Sequence, residues 1–276
     1  DVGSNNGAAL EKDTLNLFMW GGNFYGGVGD GTTTGRSSPV AVAGMRRVIG
    51  FDVGVSHTGM IDVNQDLYTW GDGLSGKLGH GTGNEVSSPT LVVGGKKWLK
   101  VAVGNNHTMG LTTDFDVYVW GSHSFGQIGN GVPGSYSVEY SSPVLVAGGR
   151  KYIDIAASND SCYAIEKDTY KAFSWGYNIG GSLGVGDTTA RSTPTEVVGG
   201  RKYLAIKAGG TGGCFGMMKD TNLPEVGILG WGSNFGGELG NGTTSQFNSP
   251  VAVLGFRDFR SGNAPNTFTI DVTPGA

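Results

Sequence analysis

Short apolar segments of four to six residues alternate with segments rich in Gly, Asn, Ser and Thr along almost the whole chain. Val, Leu, Thr and aromatic residues fill the apolar segments, and Gly, Asn, Asp and Pro separate them, which is typical of short β-strands joined by tight turns. One representative stretch predicts strands at about 90–93, 98–103, 108–112 and 117–120. Because helical periodicity never extends beyond a single turn, the pattern predicts an all-β protein.

The strand pattern recurs around five tryptophans. Each begins a segment of the form Trp-Gly-x-x-x-x-Gly-x-Leu-Gly-x-Gly, with Val or Ile in place of Leu in two copies. The five residues are Trp20, Trp70, Trp120, Trp175 and Trp231, and they are 50, 50, 55 and 56 residues apart. A proline follows the tryptophan by 19 residues, or by 23 in the third unit, which therefore carries four extra residues around 132–140. Four strands in a period of this length are typical of a β-propeller blade.

The ends of the chain predict how the ring of blades closes. We predict one propeller domain, residues 1–276, of five four-stranded blades, with repeat units at 20–69, 70–119, 120–174, 175–230 and 231–276 plus 1–19. Residues 9–20 match 164–175 in register, so the N-terminus supplies the late strands of a blade. Residues 251–254 and the stretch from 256 towards 272 are then expected to supply its early strands, which would remove two open sheet edges. The alternative is an open arc of a longer propeller.

The repeated motifs resemble a known family. The Trp-Gly segment, the following Ser-Pro and the Gly-x-x-His-Thr at 54–58 and 104–108 are similar to the regulator of chromosome condensation repeat. That resemblance implies a β-propeller, most often of seven blades, and a best-known role in nucleotide exchange on a small GTPase docked on chromatin. The Ser-Ser-Pro linkers, followed by Val-Val-Gly-Gly or a variant, resemble repeats of bacteriophage structural and bacterial surface proteins.

Composition excludes several classes of protein. The formal net charge is −4, unlike the basic domains typical of nucleic-acid binders, so we regard nucleic acid as an improbable partner. No apolar run approaches eighteen residues, so no membrane insertion is expected. No phosphate-binding loop, nucleophile elbow or metal-ligand spacing occurs in the sequence. We therefore expect a protein that is not an enzyme, with no catalytic residue, metal or cofactor.

Several repeated residues have simple structural interpretations. The five tryptophans are expected to act as buried wedges between neighbouring blades. His57 and His107 occupy one repeat position that other units fill differently, which favours a structural role. Cys162 and Cys214 are expected to be free buried thiols, with a bridge between adjacent blades as the alternative.

Strand direction sorts polar and aromatic residues onto two rims. We label the strands of each blade A to D, with A beginning after the glycine that follows each Ser-Pro. The D–A connections carry basic pairs, and the B–C turns on the same rim carry acidic residues. This balance of charge predicts weak ion pairs on a rim of mixed charge. The A–B and C–D loops form the opposite rim, which is rich in Gly, Asn and Thr, with aromatic residues interleaved. Its predicted binding residues are Tyr25, Phe125, Tyr136, Tyr140 and Tyr177. Tyr136 and Tyr140 are favoured because an insertion has no blade-building role.

The sequence therefore predicts contact rather than catalysis. The first hypothesis is a structural or interaction module, extracellular or virion-associated, whose partners are other proteins of a virion or surface assembly, or glycans. The second is a regulator that promotes nucleotide exchange on a small GTPase. The third is a proteinaceous enzyme inhibitor, as one bacterial propeller with similar repeats acts on β-lactamases. A propeller fold alone does not decide between them.

Overall fold

The computed structural model describes residues 5–209, 212–219 and 227–254, and this part of the chain folds into nineteen β-strands and two short 3-10 turns. The first two sheets contain β1 Asn6–Leu10, β2 Leu17–Gly21, β3 Arg36–Ala41, and β4 Val48–Val53, β5 His57–Asp62, β6 Leu67–Gly71, β7 Val86–Leu91. The third and fourth contain β8 Trp98–Val103, β9 His107–Thr112, β10 Val117–Ser122, β11 Glu139–Leu145, and β12 Tyr152–Ser158, β13 Ser161–Glu166, β14 Ala172–Gly176, β15 Arg191–Glu196. The fifth contains β16 Tyr203–Ala208, β17 Gly213–Met218, β18 Ile228–Gly232 and β19 Phe247–Ala252, and the 3-10 turns span Leu74–Gly76 and Ile179–Gly181.

The sheets form five antiparallel blades, which confirms the predicted all-β propeller and its blade count. Within each sheet the strands lie in chain order, with four described strands in four sheets and three in the first. The Ser-Pro strand of every unit pairs with the strand that carries the same unit's tryptophan, as β7 does with β6. The strand predicted at 90–93 is therefore found as β7, where it completes the second sheet rather than beginning the third.

The same pairing corrects the prediction for the end of the chain. In the last sheet β19 pairs with β18, with Val251 opposite Gly230 and Ala252 opposite Leu229. The expectation that 251–254 join the N-terminal strands is thus wrong, because the Ser-Pro strand completes its own unit's sheet. The predicted contribution of the stretch from 256 towards 272, and with it the closure of the ring, lies outside the described residues.

The first strand of each complete sheet faces the centre of the molecule. β12 packs against both β8 and β16, and β4 packs against β8. Carboxylates on these inner strands bind the next sheet: Asp52 accepts the N–H of Val103 at 2.7 Å, and Asp154 accepts the N–H of Ile206 at 2.9 Å while pairing with Lys100. Burial raises the pKa of Asp52 above its ordinary value. The blades are therefore held together near the axis by hydrogen bonds as well as by apolar packing.

Between blades the core consists of tryptophans packed on glycines. The side chains of Trp70, Trp120, Trp175 and Trp231 are fully buried. A Cβ on the glycine of the preceding unit's C–D loop would lie within 2.5–2.7 Å of each indole, at Gly29, Gly79, Gly129 and Gly184. These glycines also have positive φ of 67–75°, so two separate constraints require glycine there. Each of the four tryptophans is thus a wedge between two blades.

Trp20 differs from the other four repeat tryptophans. Its side chain is only half-buried and covers Gly7 of its own sheet. A five-blade ring would place it against Gly240, the counterpart of the four wedge glycines. Among the described residues, however, a Cβ at Gly240 would meet Val253, and Gly240 is exposed where its counterparts are buried. The inter-blade wedge is therefore present at four of the five repeat tryptophans.

Candidate interaction surface

A buried asparagine three residues after the tryptophan organises the C–D loops. In Asn23, Asn178 and Asn234 the Oδ1 accepts the N–H of the residue five positions on at 2.8–2.9 Å. Their Nδ2 groups each donate to two carbonyls farther along the loop at 2.9–3.0 Å. We call this arrangement the asparagine clamp. Asn at this position of three units is the signal in the sequence, but strand periodicity alone does not reveal its role.

The clamp fixes a loop tip that points to solvent. The residue four positions after the tryptophan is Phe24, Ile179 or Phe235 in the clamped loops and Leu74 in the second unit, where Gly73 takes the clamp position, and its side chain is 62–88% exposed. The apolar residue four positions later in each of these loops is fully buried, as in Val28 and Leu78. Each loop thus divides its two large apolar residues between the core and the surface. Because the backbone of the clamped loops is hydrogen-bonded internally, little backbone entropy remains to be lost on binding.

The third unit replaces the clamp with a histidine and an insertion. His123 Nε2 bonds to the carbonyl of Val132 at 3.0 Å, and the N–H of Ser135 donates to the carbonyl of His123 at 2.9 Å. The insertion is also tied to the second blade, where Ser75 Oγ donates to Glu139 at 2.8 Å. The insertion is therefore anchored on two blades.

Three of the five predicted binding residues meet on this surface. Tyr136, 78% exposed, lies edge-on to Phe125 with ring centroids 5.5 Å apart, and Phe125 lies 4.5 Å from the ring of Tyr177 in the next blade. Phe125, Tyr136 and Tyr177 are called the aromatic cluster below. Ile179, two residues beyond Tyr177, is also exposed.

The other two predicted binding residues lie elsewhere. Tyr140 packs against the core cluster of the third and fourth sheets, and its hydroxyl accepts the amide of Asn130 at 3.1 Å. It also meets the ring of His123 edge-on at 5.5 Å. Tyr25 is partly exposed in the first blade, where no ring contact joins it to the aromatic cluster in the described residues. Tyr140 is the second residue of β11, so this end of the insertion does take part in a blade.

The rim formed by the D–A connections and B–C turns has the predicted mixed charge. Lys97 pairs with Asp66 at 2.7 Å, Lys151 pairs with Asp116 at 2.8 Å, and Arg150 pairs with Glu166. In three D–A connections the first basic residue lies over the ring of the aromatic residue found two positions before the repeat tryptophan. The cation lies 4.1–4.2 Å from the centroid of that ring. These contacts are Arg46 on Tyr68, Lys96 on Tyr118 and Arg150 on Phe173.

Comparison with known proteins decides the family. The "Regulator of chromosome condensation (RCC1) repeat" family matches residues 16–61, 64–111 and 116–165, which together are more than half of the chain. A second description of the same repeat matches residues 98–127. The chain belongs to the RCC1 repeat family.

Solved structures share the RCC1-type fold at low sequence identity. Human WBSCR16 is 21% identical, with a TM-score of 0.77 over 91% of this chain and 65% of that one. Prp20p from Saccharomyces cerevisiae, described with its binding properties to Gsp1p and histones, is 20% identical, with a TM-score of 0.75 over 90% of this chain and 61% of that one. The CRINKLY WD40 ectodomain of the Arabidopsis thaliana receptor kinase ACR4 is 14% identical, with a TM-score of 0.52 over 91% and 64%. The chain thus spans less than two thirds of the length of these three structures.

The RCC1-repeat histidines connect neighbouring blades. His57 Nε2 lies 2.8 Å from Thr108 Oγ1, and His107 Nε2 lies 3.2 Å from Cys162 Sγ, at the equivalent position one blade on. Burial lowers the pKa of His57 well below its ordinary value and that of His107 to about 4. Both rings are therefore neutral at pH 7, as expected of structural residues.

The buried thiols of this RCC1-type propeller are poorly suited to chemistry. Cys162 and Cys214 are free and fully buried, so the alternative of a bridge between blades is wrong. Burial raises the pKa of both thiols well above the ordinary value, which disfavours the thiolate that nucleophilic attack or metal binding requires. Within the described ranges, no group of three or more His, Cys, Asp or Glu side chains could hold a metal ion. No helix in the described part of the chain is long and apolar enough to cross a membrane.

Proposed function

We propose that this RCC1-repeat chain is a non-catalytic protein-interaction module that binds its partner through the loop rim centred on the aromatic cluster. The observation that carries the proposal is the contact of Phe125, Tyr136 and Tyr177 across two blades, with Tyr136 78% exposed. Exposed aromatic groups held on a rigid scaffold are typical of the few residues that supply most of the binding energy at an interface.

The surroundings of the cluster favour a protein partner over a small molecule. The tips Leu74 and Ile179 of the neighbouring loops are exposed apolar residues, and Ser124, Ser135 and Ser137 supply hydroxyl groups near the cluster. The exposed Glu139, which accepts a hydrogen bond from Ser75, adds a carboxylate to this margin. An apolar centre with a polar margin is the usual composition of a protein interface. A glycan is the alternative ligand, because aromatic rings and hydroxyl groups also suit sugars.

We further propose that the chain works on a virion or cell surface, as part of an assembly or receptor contact. Its loops are closed by the asparagine clamp and by tight glycine turns. Such loops offer few extended segments to proteases, which supports a role in an exposed position.

Three immobilised baits test the protein-binding proposal. They are the wild-type chain, Tyr136→Ala and, as the control, Leu91→Ala, which changes an exposed residue on an outer strand. Proteins retained by wild type and Leu91→Ala but lost from Tyr136→Ala are purified and measured by calorimetry. We expect Tyr136→Ala to weaken binding about 10-fold or more, as for a truncated interface anchor. Wild-type affinity in both Tyr136→Ala and Tyr177→Ala would contradict the choice of surface, and a hit limited to a glycan array would favour the sugar alternative.

Nucleotide exchange on a small GTPase is the second candidate. It is favoured by the shared fold with Prp20p, whose structure is described with its binding to Gsp1p. Release of a fluorescent guanine nucleotide from a panel of small GTPases tests it: acceleration by catalytic amounts of the chain would support exchange, and unchanged release would exclude it for those GTPases. The aromatic cluster would equally suit an enzyme inhibitor, which inhibition assays against β-lactamases would test.

A further inference from the structure

A three-stranded junction repeats on the rim opposite the aromatic cluster. At each junction the second basic residue of the D–A connection accepts a backbone hydrogen bond from the end of the next blade's B strand, as Lys97 does from Thr113 at 3.0 Å. This second basic residue also lies beside a residue of the preceding blade, the one four positions before that blade's repeat tryptophan. At the second and third junctions that residue is a carboxylate, and the pairs Lys97–Asp66 and Lys151–Asp116 result.

At the fourth junction the charge of this position is reversed. The residue four positions before Trp175 is Lys171, and its backbone forms a β-bridge with that of Lys202. The N–H of Lys219 donates to the Lys202 carbonyl at 2.8 Å, and the Lys219 ammonium lies over the ring of Tyr170. Three lysines thus meet on adjacent backbone segments, where the second and third junctions have an ion pair.

The cations at this place are only partly compensated. Lys171 pairs with Glu196 at 2.8 Å, while Arg201 and Lys202 are exposed and form no ion pair within the described ranges. Asp168 is exposed in the adjacent turn, and Glu166, whose N–H donates to the Lys171 carbonyl at 2.9 Å, pairs with Arg150. We call Lys171, Arg201, Lys202 and Lys219 the basic junction. Its four cations outnumber Glu196 and Asp168, the two described carboxylates beside it that are not paired with Arg150, so the described surface attracts anions.

An exposed aliphatic residue lies beside the basic junction. Each inner strand has a register shift after its first residue, and in β16 the shift falls between Tyr203 and Ala205. The bulged residue is Leu204, which is 43% exposed and lies two residues after Lys202. Val198, at the start of the same connection, is also exposed. The surface therefore offers apolar as well as cationic contacts.

We propose that the basic junction binds a short carboxylate-rich peptide segment of a protein partner, with an apolar residue of that segment on Leu204. At the second and third junctions the positive charge is neutralised by the carboxylates there, whereas at the basic junction a lysine takes the place of the carboxylate. A local group of cations fits a few consecutive carboxylates, whereas a duplex needs cations that follow its phosphates over many positions. This site is on the opposite rim from the aromatic cluster and does not depend on the function proposed for that cluster.

The test uses the charge pattern of the repeat itself. A fluorescein-labelled peptide of six glutamates and one leucine is titrated with the full chain, and binding is followed by anisotropy at low and physiological salt. Lys171→Asp rebuilds the arrangement of Asp66 beside Lys97, so we expect about 10-fold weaker binding with an unchanged melting temperature. Lys171→Gln, which only neutralises the position, should give an intermediate loss and serves if the aspartate variant folds poorly.

Two controls make the test specific. Lys97→Gln removes a cation of the same rim that is already paired, and it should change peptide affinity less than 2-fold. Asp116→Lys transfers the reversal to the third junction and should create a second peptide site in the stoichiometry. Equal losses for Lys97→Gln and Lys171→Gln would overturn the proposal, since binding would then follow net charge. Tighter binding of a duplex DNA of matched charge would overturn it in favour of nucleic acid.

Discussion

Replacing a wedge tryptophan provides the most direct test of how the blades are held together. Trp120 is fully buried against Gly79 and lies 5.8 Å from the ring of Trp98. A buried indole removes about 150–250 Å² from water, which at about 25 cal/mol/Å² corresponds to roughly 4–6 kcal/mol. The alanine methyl retains part of this, so we expect Trp120→Ala to lower the free energy of unfolding by about 3–5 kcal/mol.

Trp20 supplies the matched control within the same repeat. Its side chain is half-buried and is not wedged against Gly240, so Trp20→Ala should cost about 1–2 kcal/mol. Urea unfolding followed by circular dichroism measures both variants, and the melting temperature of Trp120→Ala should fall by about 10 °C. Equal destabilisation by the two substitutions would refute the wedge explanation, because it would show that contact with the preceding blade adds nothing.

Three further predictions follow from buried and half-buried groups. Because the folded-state pKa values of His57 and His107 are lowered, the unfolded chain binds more protons than the folded chain below about pH 6.5, so stability should fall between about pH 6.5 and 4. Urea midpoints at pH 7 and 5 measure this fall, and His107→Gln should reduce the dependence of the midpoint on pH. Lys77→Met leaves the buried Asp72 carboxylate without the lysine that lies 2.6 Å away, so we expect the free energy of unfolding to fall by about 3–5 kcal/mol. Adding Asp72→Asn should restore most of this loss, which a double-mutant cycle measures. Tyr140→Ala should lower the melting temperature and Tyr136→Ala should not, since only Tyr140 packs against the core; similar calorimetric melts for the two would contradict this assignment.

The blade architecture was predictable because its signals are local and repeated. The Trp-Gly segment recurs five times together with the Ser-Pro strand, which has Thr-Pro at 193–194, so the strand count and the number of sheets followed directly. Which sheet a Ser-Pro strand joins was harder, because β7 is close in sequence to both β6 and β8. The pairing is decided by the bulged register opposite Thr69 and Gly71, a tertiary feature that single-sequence periodicity does not contain.

The candidate surface was predictable only in part. The rim that carries the aromatic residues followed from strand direction, but the meeting of Phe125 with Tyr177 depends on how two loops from successive blades pack. The different position of Tyr140 arises from its hydrogen bond to Asn130 and its place as the second residue of β11, which extends a blade into the insertion. The charge reversal at Lys171 could be recognised only from the backbone pairing of Lys171 with Lys202. Alignment of the repeats alone does not show that these two residues are neighbours.

The asparagine clamp has a consequence for how such a chain can acquire new partners. One amide group closes the loop from within and a separate aliphatic residue fills the core, so neither task falls on the side chain at position 24, 179 or 235. Those positions are free to mutate without loss of fold. Randomising them together would give a library of different recognition surfaces on one unchanged backbone, with the blades serving as a fixed frame for their presentation.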